Sequence, residues 1–371
     1  MDFKAILQKR ESSIRSRKLY FALAAVAFVA VLPLFVRSEY VIGQVFTLMI
    51  IYAIYASSWN LLAYSGQGSL GHAAFLGIGG FASALLVVKS GLPPAIGLLL
   101  GSLLSAGIGV LIGLACVRLK AWFLAMVTFG FSVIAVTIIS QFDAFFEGMI
   151  GFPTPTVVPQ VLPFFYATWA IAAVSIGVIF IVMKSKLGLA FKAIRENELE
   201  AKMIGINTGK YKLLAFVIST FFAGLAGGLY AESQQFIQIA IFEPYFSFLP
   251  LIMAVIGGLS TIEGPIIGSV IIVSIDSFLP LTDKFLQPLS PLFRGVSTVG
   301  PPLRLVGLGL FLIVVVIFLP KGITSLLRKA YDYLREDTSK GKKKKERISF
   351  TEKLKALKRS ITSKIRLRGK K

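Results

Sequence analysis

Between residues 184 and 212 the chain reads KSKLGLAFKAIRENELEAKMIGINTGKYK, with seven Lys/Arg and three Glu, and long apolar blocks lie on either side. A charged residue costs about 2.5–3.5 kcal/mol at the centre of a membrane helix, so burying these ten charges in lipid would cost roughly 25–35 kcal/mol. The few Leu, Ile and Phe in the segment cannot offset that. The segment therefore stays in water while its flanks are free to enter lipid, which makes it a place where a membrane protein can receive a signal or a force.

The flanks are apolar enough to do so. Of 371 residues, 56% are hydrophobic and only 15% charged, and mean hydropathy is +0.79. The excess over an ordinary soluble domain falls in runs of about 18–25 residues, the length that crosses a bilayer as a helix. The pattern predicts an all-α polytopic membrane protein. Its spans lie near 19–36, 41–63, 68–88, 94–117, 122–142, 163–183, 211–232, 244–260, 265–281 and 303–319, ten in all. The first run follows a basic arm, but it is about 18 residues long and no small-x-small site follows Arg37. It reads as a retained span, not a signal core.

Orientation follows from the cations. With the N-terminus inside, ten spans place the arm, the Arg118–Lys120 link, the 184–212 loop and the tail in the cytoplasm, and these hold 34 of the 39 Lys/Arg. Basic residues resist translocation, so this asymmetry predicts both termini cytoplasmic in a multi-pass inner-membrane protein. The chain divides into an arm (1–18), a membrane domain (19–326) and a basic tail (327–371). The net charge of +21 is concentrated: residues 341–371 carry fourteen Lys/Arg against two Glu. Phe350, Leu354, Leu357, Ile361 and Ile365 share one helical face there, so the tail reads as an amphipathic helix for anionic lipids, not as a nucleic-acid surface. Cys116 is the single cysteine, so no intrachain disulfide exists.

Small residues mark the interior. Gly97, Gly101, Ser105, Gly109 and Gly113 recur every fourth residue and form one stripe, a helix-packing seam that lets another helix approach closely. Gly224/Gly228 and Gly264/Gly268 repeat the spacing. The stretch Ser65–Gly80, SGQGSLGHAAFLGIGG, has six glycines and makes a poor regular helix. Irregular backbone at membrane depth is tolerated only inside protein or beside a water-filled cavity, so a pair of such breaks is a pointer to a translocation path. The second is Gly257–Gly268, GGLSTIEGPIIG. Candidate path residues are Gln67, Ser69, His72, Gly257 and Gly258. His72 is the only histidine and has no second His or nearby Cys to complete a metal site. Asp276 is the acid nearest a span's interior, although Pro280 is expected to end that span soon after it.

No phosphate-binding G-x-x-x-x-G-K-[ST] loop occurs, nor H-E-x-x-H, nor G-x-S-x-G, so the residues point to no catalytic centre, metal or bound nucleotide in this chain. A transporter of this kind takes its energy from a partner or a gradient, or conducts passively.

Four motifs carry a resemblance. Asn60–Leu86 (NLLAYSGQGSLGHAAFLGIGGFASALL), the loop FKAIRENELEAKMIGINTGKYKLLAFVISTFFAGLAGGLYA, Met253–Ser269 (MAVIGGLSTIEGPIIGS) and Leu319-Pro320-Lys321-Gly322-Ile323 occur in order. Together they resemble the LivM-type membrane subunits of branched-chain amino-acid ABC importers over about residues 40–326. Ser260 departs from that pattern, which has glycine there, and the loop 148–163 lacks its fuller Gly-rich form. The resemblance implies a type II ABC importer-like permease bundle with three kinds of partner: a second homologous permease subunit, two cytoplasmic ATPase subunits that hold the ATP and Mg, and an extracytoplasmic solute-binding protein. It implies a coupling helix over Ala193–Ile206, with Arg195, Glu196, Asn197, Glu198, Glu200, Ala201 and Gly205 in the motif. The expected function is import of branched-chain amino acids by alternating access. The competing readings are a urea or short-chain amide importer of the same kind, an ion-coupled secondary transporter using Asp276, and a membrane scaffold.

Overall fold

The computed structural model describes residues 29–36, 38–119, 121–142, 146, 151–156, 158–286, 309–310, 313, 317 and 322–326. Residues 1–322 form one unit and 323–371 a second, whose described part is the helical segment 323–326. The expected spans 19–36 and 303–319 lie mostly outside the described residues, as does the basic tail. Residues 29–35 are helical.

The described helices of the first unit are α1 (Val41–Tyr64), α2 (His72–Ser90), α3 (Pro94–Cys116), α4 (Ala121–Gln141), α5 (Val161–Lys184), α6 (Lys186–Glu196), α7 (Glu198–Met203), α8 (Thr208–Gln234), α9 (Pro244–Gly257) and α10 (Gly264–Leu286). The first residues of α1, Val41–Phe46, are π-helical. Strands β1 (Phe152–Pro153) and β2 (Phe236–Ile237) pair antiparallel, with Phe152 opposite Ile237. Six of the described helices are long and apolar enough to cross a membrane: α1, α2, α3, α4, α5 and α8. The chain is a polytopic helical membrane protein.

Two expected spans are reshaped. The 244–260 span ends as helix at Gly257, because Gly258 turns to φ +132°. Helix α10 runs on through Pro280 to Leu286, so Pro280 does not end it and Asp276 sits near its middle.

Helix α8 is central, packed against α1, α2 and α3, while α9 and α10 pack on each other and on α1. Small residues bring these backbones together. A Cβ at Gly79 would stand 2.3 Å from the Gly224 Cα, and one at Gly227 would stand 1.8 Å from the Leu76 carbonyl oxygen. The α3 stripe faces the same seam: Gly101 lies against the Gly79 carbonyl, Gly109 against Thr220, and Gly113 against Leu213 and Phe216. The Ser105 hydroxyl lies 3.0 Å from the Phe75 carbonyl oxygen and 2.9 Å from that of Thr220. The opposite face of α3 exposes Leu99, Leu103, Leu111 and Leu114. Small groups inside and large aliphatics outside is the polarity expected of a helix solvated by lipid.

Pro250 interrupts α9 and uses the interruption. Lacking an N–H, it cannot bond the Phe246 carbonyl four residues back. The Tyr55 hydroxyl of α1 donates to that carbonyl instead, at 2.8 Å. A freed backbone group is thus satisfied across the helix interface, as a low-dielectric surround requires.

Candidate functional site

The charged interruption folds as an elbow. Ser185 starts α6, its hydroxyl accepting the Leu187 N–H at 3.1 Å. Helix α6 is amphipathic: Gly188, Ala190, Phe191 and Ile194 are buried, while Lys192 and Glu196 face outward. Asn197 then breaks the chain at φ −158°, ψ 111°, and its side chain accepts the N–H groups of Leu199 and Glu200 as the cap of α7. The single coupling helix expected over 193–206 is therefore two helices joined at Asn197. An asparagine satisfies orphan helix N–H groups better from the cap than from mid-helix, which is why the break falls there.

Helix α7 is capped beyond Met203 by Gly205, φ +88°, with Gly205 N–H on the Lys202 carbonyl and Ile206 N–H on that of Ala201, both 3.0 Å. This is the double bond of a Schellman cap, and it needs a left-handed residue that glycine supplies without strain. Nothing lies within 4 Å of a Cβ placed on Gly205, so its role here is conformational.

Glu198 ties α7 to α8. Its carboxylate meets Lys202 at 3.1 Å, four residues on, and accepts from the Thr208 hydroxyl at 3.1 Å and from the Lys212 ammonium. Burial alone would raise the Glu198 carboxyl, but hydrogen bonds from Lys212 and Lys202 outweigh it and hold the group below the ordinary carboxylate range. Glu200 accepts from Asn197 Nδ2 at 2.6 Å, and Ala201 is buried beneath. Around this frame Leu199, Met203 and Ile204 are 72%, 87% and 75% exposed, three large apolar side chains within six residues. An open cleft of about 560 Å³, lined by Val117, Arg118, Glu198, Lys202 and residues 205–209, adjoins them.

The first break lies against the elbow. Ser65–Gly71 is irregular and buried for the most part, and α2 starts only at His72, later than the residue 68 expected. Gln67 Nε2 donates to Ser65 Oγ and to the Lys212 carbonyl, both at 2.9 Å. Trp59 Nε1 donates to the Ser69 carbonyl at 2.8 Å, and Leu70 N–H to Thr128 Oγ1 at 3.2 Å. A Cβ on Gly71 would stand 1.7 Å from the Thr128 carbonyl oxygen, so only glycine lets the break pass α4. His72 Nε2 is 3.0 Å from Ser58 Oγ, which is also 2.7 Å from the Tyr55 carbonyl. The serine has one proton, and the carbonyl can only accept. Both contacts are satisfied when Nε2 carries the hydrogen, which leaves Nδ1 as an acceptor. Nδ1 and the Ser69 hydroxyl have no hydrogen-bond partner among the described residues, although both side chains are fully buried.

The second break is held by α1. Asn60 Oδ1 accepts the Ser260 N–H at 2.7 Å and Asn60 Nδ2 donates to the Thr261 carbonyl at 2.6 Å. Thr261 Oγ1 donates to the Gly258 carbonyl and accepts the Gly264 N–H that opens α10. Gly257 lies against Gly264, and Gly322 lies against Gly258, where a Cβ would come within 2.4 Å of its Cα. The third and fourth sequence motifs thus meet backbone to backbone. Gln67, Ser69 and His72 share one break, Gly257 and Gly258 the other, and adjacent residues of α1 hold them, Trp59 the first and Asn60 the second. Sequence reasoning singled out neither Asn60 nor Tyr64, Thr128 and Lys212. The available signal was the run Ser57-Ser58-Trp59-Asn60 in a mostly apolar helix. Among the described residues no group of three His, Cys, Asp or Glu could hold a metal ion.

Residues 41–316 match the family model described as "Branched-chain amino acid transport system / permease component". The chain belongs to that permease family. Its relatives include the high-affinity branched-chain amino acid transport system permease proteins LivM of Salmonella typhimurium and of Escherichia coli. Each is 28% identical over 301 residues, covering 73% of this chain and 70% of the relative. A probable LivH permease protein of Methanocaldococcus jannaschii is 31% identical over 115 residues, 29% of this chain and 34% of that one. No solved structure matches. Both permease types therefore share sequence with this chain, LivM over most of its length and LivH over a part.

Proposed function

We propose that this permease is one membrane subunit of an ATP-binding-cassette importer that carries branched-chain amino acids across the inner membrane by alternating access. It pairs with a second, homologous permease subunit, takes solute from an extracytoplasmic binding protein, and is powered by two cytoplasmic ATPase subunits that hold the ATP and Mg. The observation that carries this reading is the elbow: a water-soluble, internally braced pair of short helices that shows Leu199, Met203 and Ile204 to solvent. Isolated apolar side chains are common on surfaces, but three within six residues on a braced mount suit burial by a partner. Glu196, 66% exposed at its side chain, adds a charge at the rim. The sharing of sequence with both LivM and LivH relatives supports a homologous second subunit.

In this reading, closure of the ATPase dimer displaces the elbow, and the two breaks, each touching α1, change their position relative to α8. Close-packed glycine seams favour rigid-body shifts over continuous bending.

The test is reconstitution of the chain with its partner subunits and binding protein in proteoliposomes. Leucine, isoleucine or valine uptake should require ATP, and Met203→Asp should cut ATPase co-purification and uptake about tenfold or more, as expected when a charge enters an apolar contact, while membrane insertion is unchanged. Full uptake in Met203→Asp and Leu199→Asp variants would remove the docking assignment. Transport of urea in place of amino acids would reassign the substrate.

A further inference from the structure

Arg195 opens the coupling motif, yet its side chain is turned into the molecule. We propose that Arg195 is a positioning residue, a strut that passes displacement of α6 into the Ser65–Gly71 break, and not a residue that grips the ATPase. The proposal rests on the importer reading above.

Three observations carry it. The guanidinium carbon lies over the Tyr64 ring, 5.3 Å from its centroid, inside the ~6 Å reach of a cation–π contact. The backbone of α6 rests on Gly66, where a Cβ would stand 3.0 Å from the Arg195 Cα. Gly66 is also at φ +78°, so a side chain there would be both crowded and strained. The remaining charge of Arg195 is directed to Glu196 at 3.1 Å, and the arginine side chain is only 28% exposed. Tyr64 is the last residue of α1, and Gly66 the first left-handed residue of the break. Helix α6 therefore bears on the point where α1 stops being helical.

A second tie runs parallel to the first. Gln67 Nε2 holds the Lys212 carbonyl at 2.9 Å, and the Lys212 ammonium holds Glu198 of α7. The two halves of the elbow thus bear on the break at Gly66 and Gln67, α6 directly and α7 through Lys212 of α8, and Ser69 and His72 follow two and five residues after Gln67. A tilt of the elbow cannot leave those residues in place unless one of the ties gives way. Charge alone does not form the first tie: lysine would keep the charge and lose the plane that lies on Tyr64.

The experiment uses the complete importer in proteoliposomes and reads two quantities, ATPase co-purification and ATP hydrolysed per solute imported. Arg195→Lys and Tyr64→Leu are expected to co-purify with the ATPases as wild type does, while ATP consumed per solute rises about five- to tenfold, the size of an ordinary coupling energy. Tyr64→Phe keeps the ring and should keep the wild-type ratio. The double variant Arg195→Lys/Tyr64→Leu should be no worse than either single change, because both remove one contact. Loss of ATPase co-purification in Arg195→Lys, to the level of Met203→Asp, would make Arg195 a docking residue and overturn the proposal. An unchanged ratio in Arg195→Lys, or additive effects in the double variant, would also overturn it. Should Tyr64→Leu fail to fold, the contrast between Arg195→Lys and Tyr64→Phe still decides. A wild-type chain that neither binds ATPases nor imports solute would overturn the importer reading and the strut together, whereas failure of the variants alone to uncouple touches only the strut.

Discussion

Glu198 collects donors from two helices, Lys202 on its own and Thr208 and Lys212 on the next. Its carboxyl is held below the ordinary value, so folding is favoured by its ionised form. The sign follows by linkage: a group with a depressed folded pKa contributes its stabilisation above its unfolded value, about 4.3 for Glu, and loses it as pH falls through the folded one. Protonation would also leave the buried Lys212 ammonium without its carboxylate partner. Amide exchange across residues 198–212 should therefore quicken as pH drops below about 4.3, after correction for the intrinsic pH dependence of exchange. Glu198→Gln should show weaker protection at neutral pH and no such acid-dependent loss. Equal pH profiles in the two proteins would show that the carboxylate does not brace the elbow. Part of this was legible in sequence, since the Glu198/Lys202 spacing of four predicts their pairing on a helix. Lys212 was not, because its approach depends on the Schellman turn at Gly205 reversing the chain. Ser260 shows the opposite case. The sequence marks it as a departure from the family's glycine, and its φ of +59° gives the backbone reason for glycine there, while the Asn60 side chain holds the strained turn in place.

Among the elements, the glycine seam between α2, α3 and α8 decides how closely the bundle packs. Two glycines of these helices, one in the seam and one off it, make opposite predictions. At Gly227 a methyl group would meet the Leu76 carbonyl oxygen at 1.8 Å, and that atom belongs to a helix backbone that cannot step aside. At Gly107 on α3 nothing lies within 4 Å. Gly227→Ala should lower stability by about 3 kcal/mol or more, the upper range for overpacking. Gly107→Ala should be neutral or stabilising by up to about 1 kcal/mol through helix propensity. Thermal unfolding of the two solubilised variants checks this, and similar midpoints would mean that α2 and α8 can separate at little cost. The four-residue spacing on α3 showed the stripe in the sequence, but not which helices it meets, since spacing fixes a face and says nothing of the partner. The elbow was legible as a charged segment and not as two helices. A capping asparagine and a mid-helix asparagine differ only in backbone conformation, and the charge pattern around Asn197 fits either one.

For the whole molecule the open question is the source of energy, and Asp276 is the residue on which the two answers differ. Hydropathy locates its span, but a proline ordinarily stops a helix, so the sequence predicts an early end where α10 carries helix through Pro280. Near the middle of α10, Asp276 is half-buried and within electrostatic reach of Tyr52 on α1 and Tyr230 on α8, whose rings stack at 6.1 Å. An acid at that depth in an apolar bundle would serve an ion-coupled transporter as its titrating group. In the importer reading it is one polar member of a helix interface, and the free energy of transport enters at the elbow. Proteoliposomes loaded with ATP and treated with ionophores that collapse proton and sodium gradients should then import solute at the untreated rate. Asp276→Asn should keep ATP-driven uptake within the same order of magnitude as wild type and leave its ionophore response unchanged. Uptake driven by a gradient without ATP, and lost in Asp276→Asn, would move the motor from the partner subunits into this chain. The elbow would then be a brace between helices, with its exposed Leu199, Met203 and Ile204 unexplained.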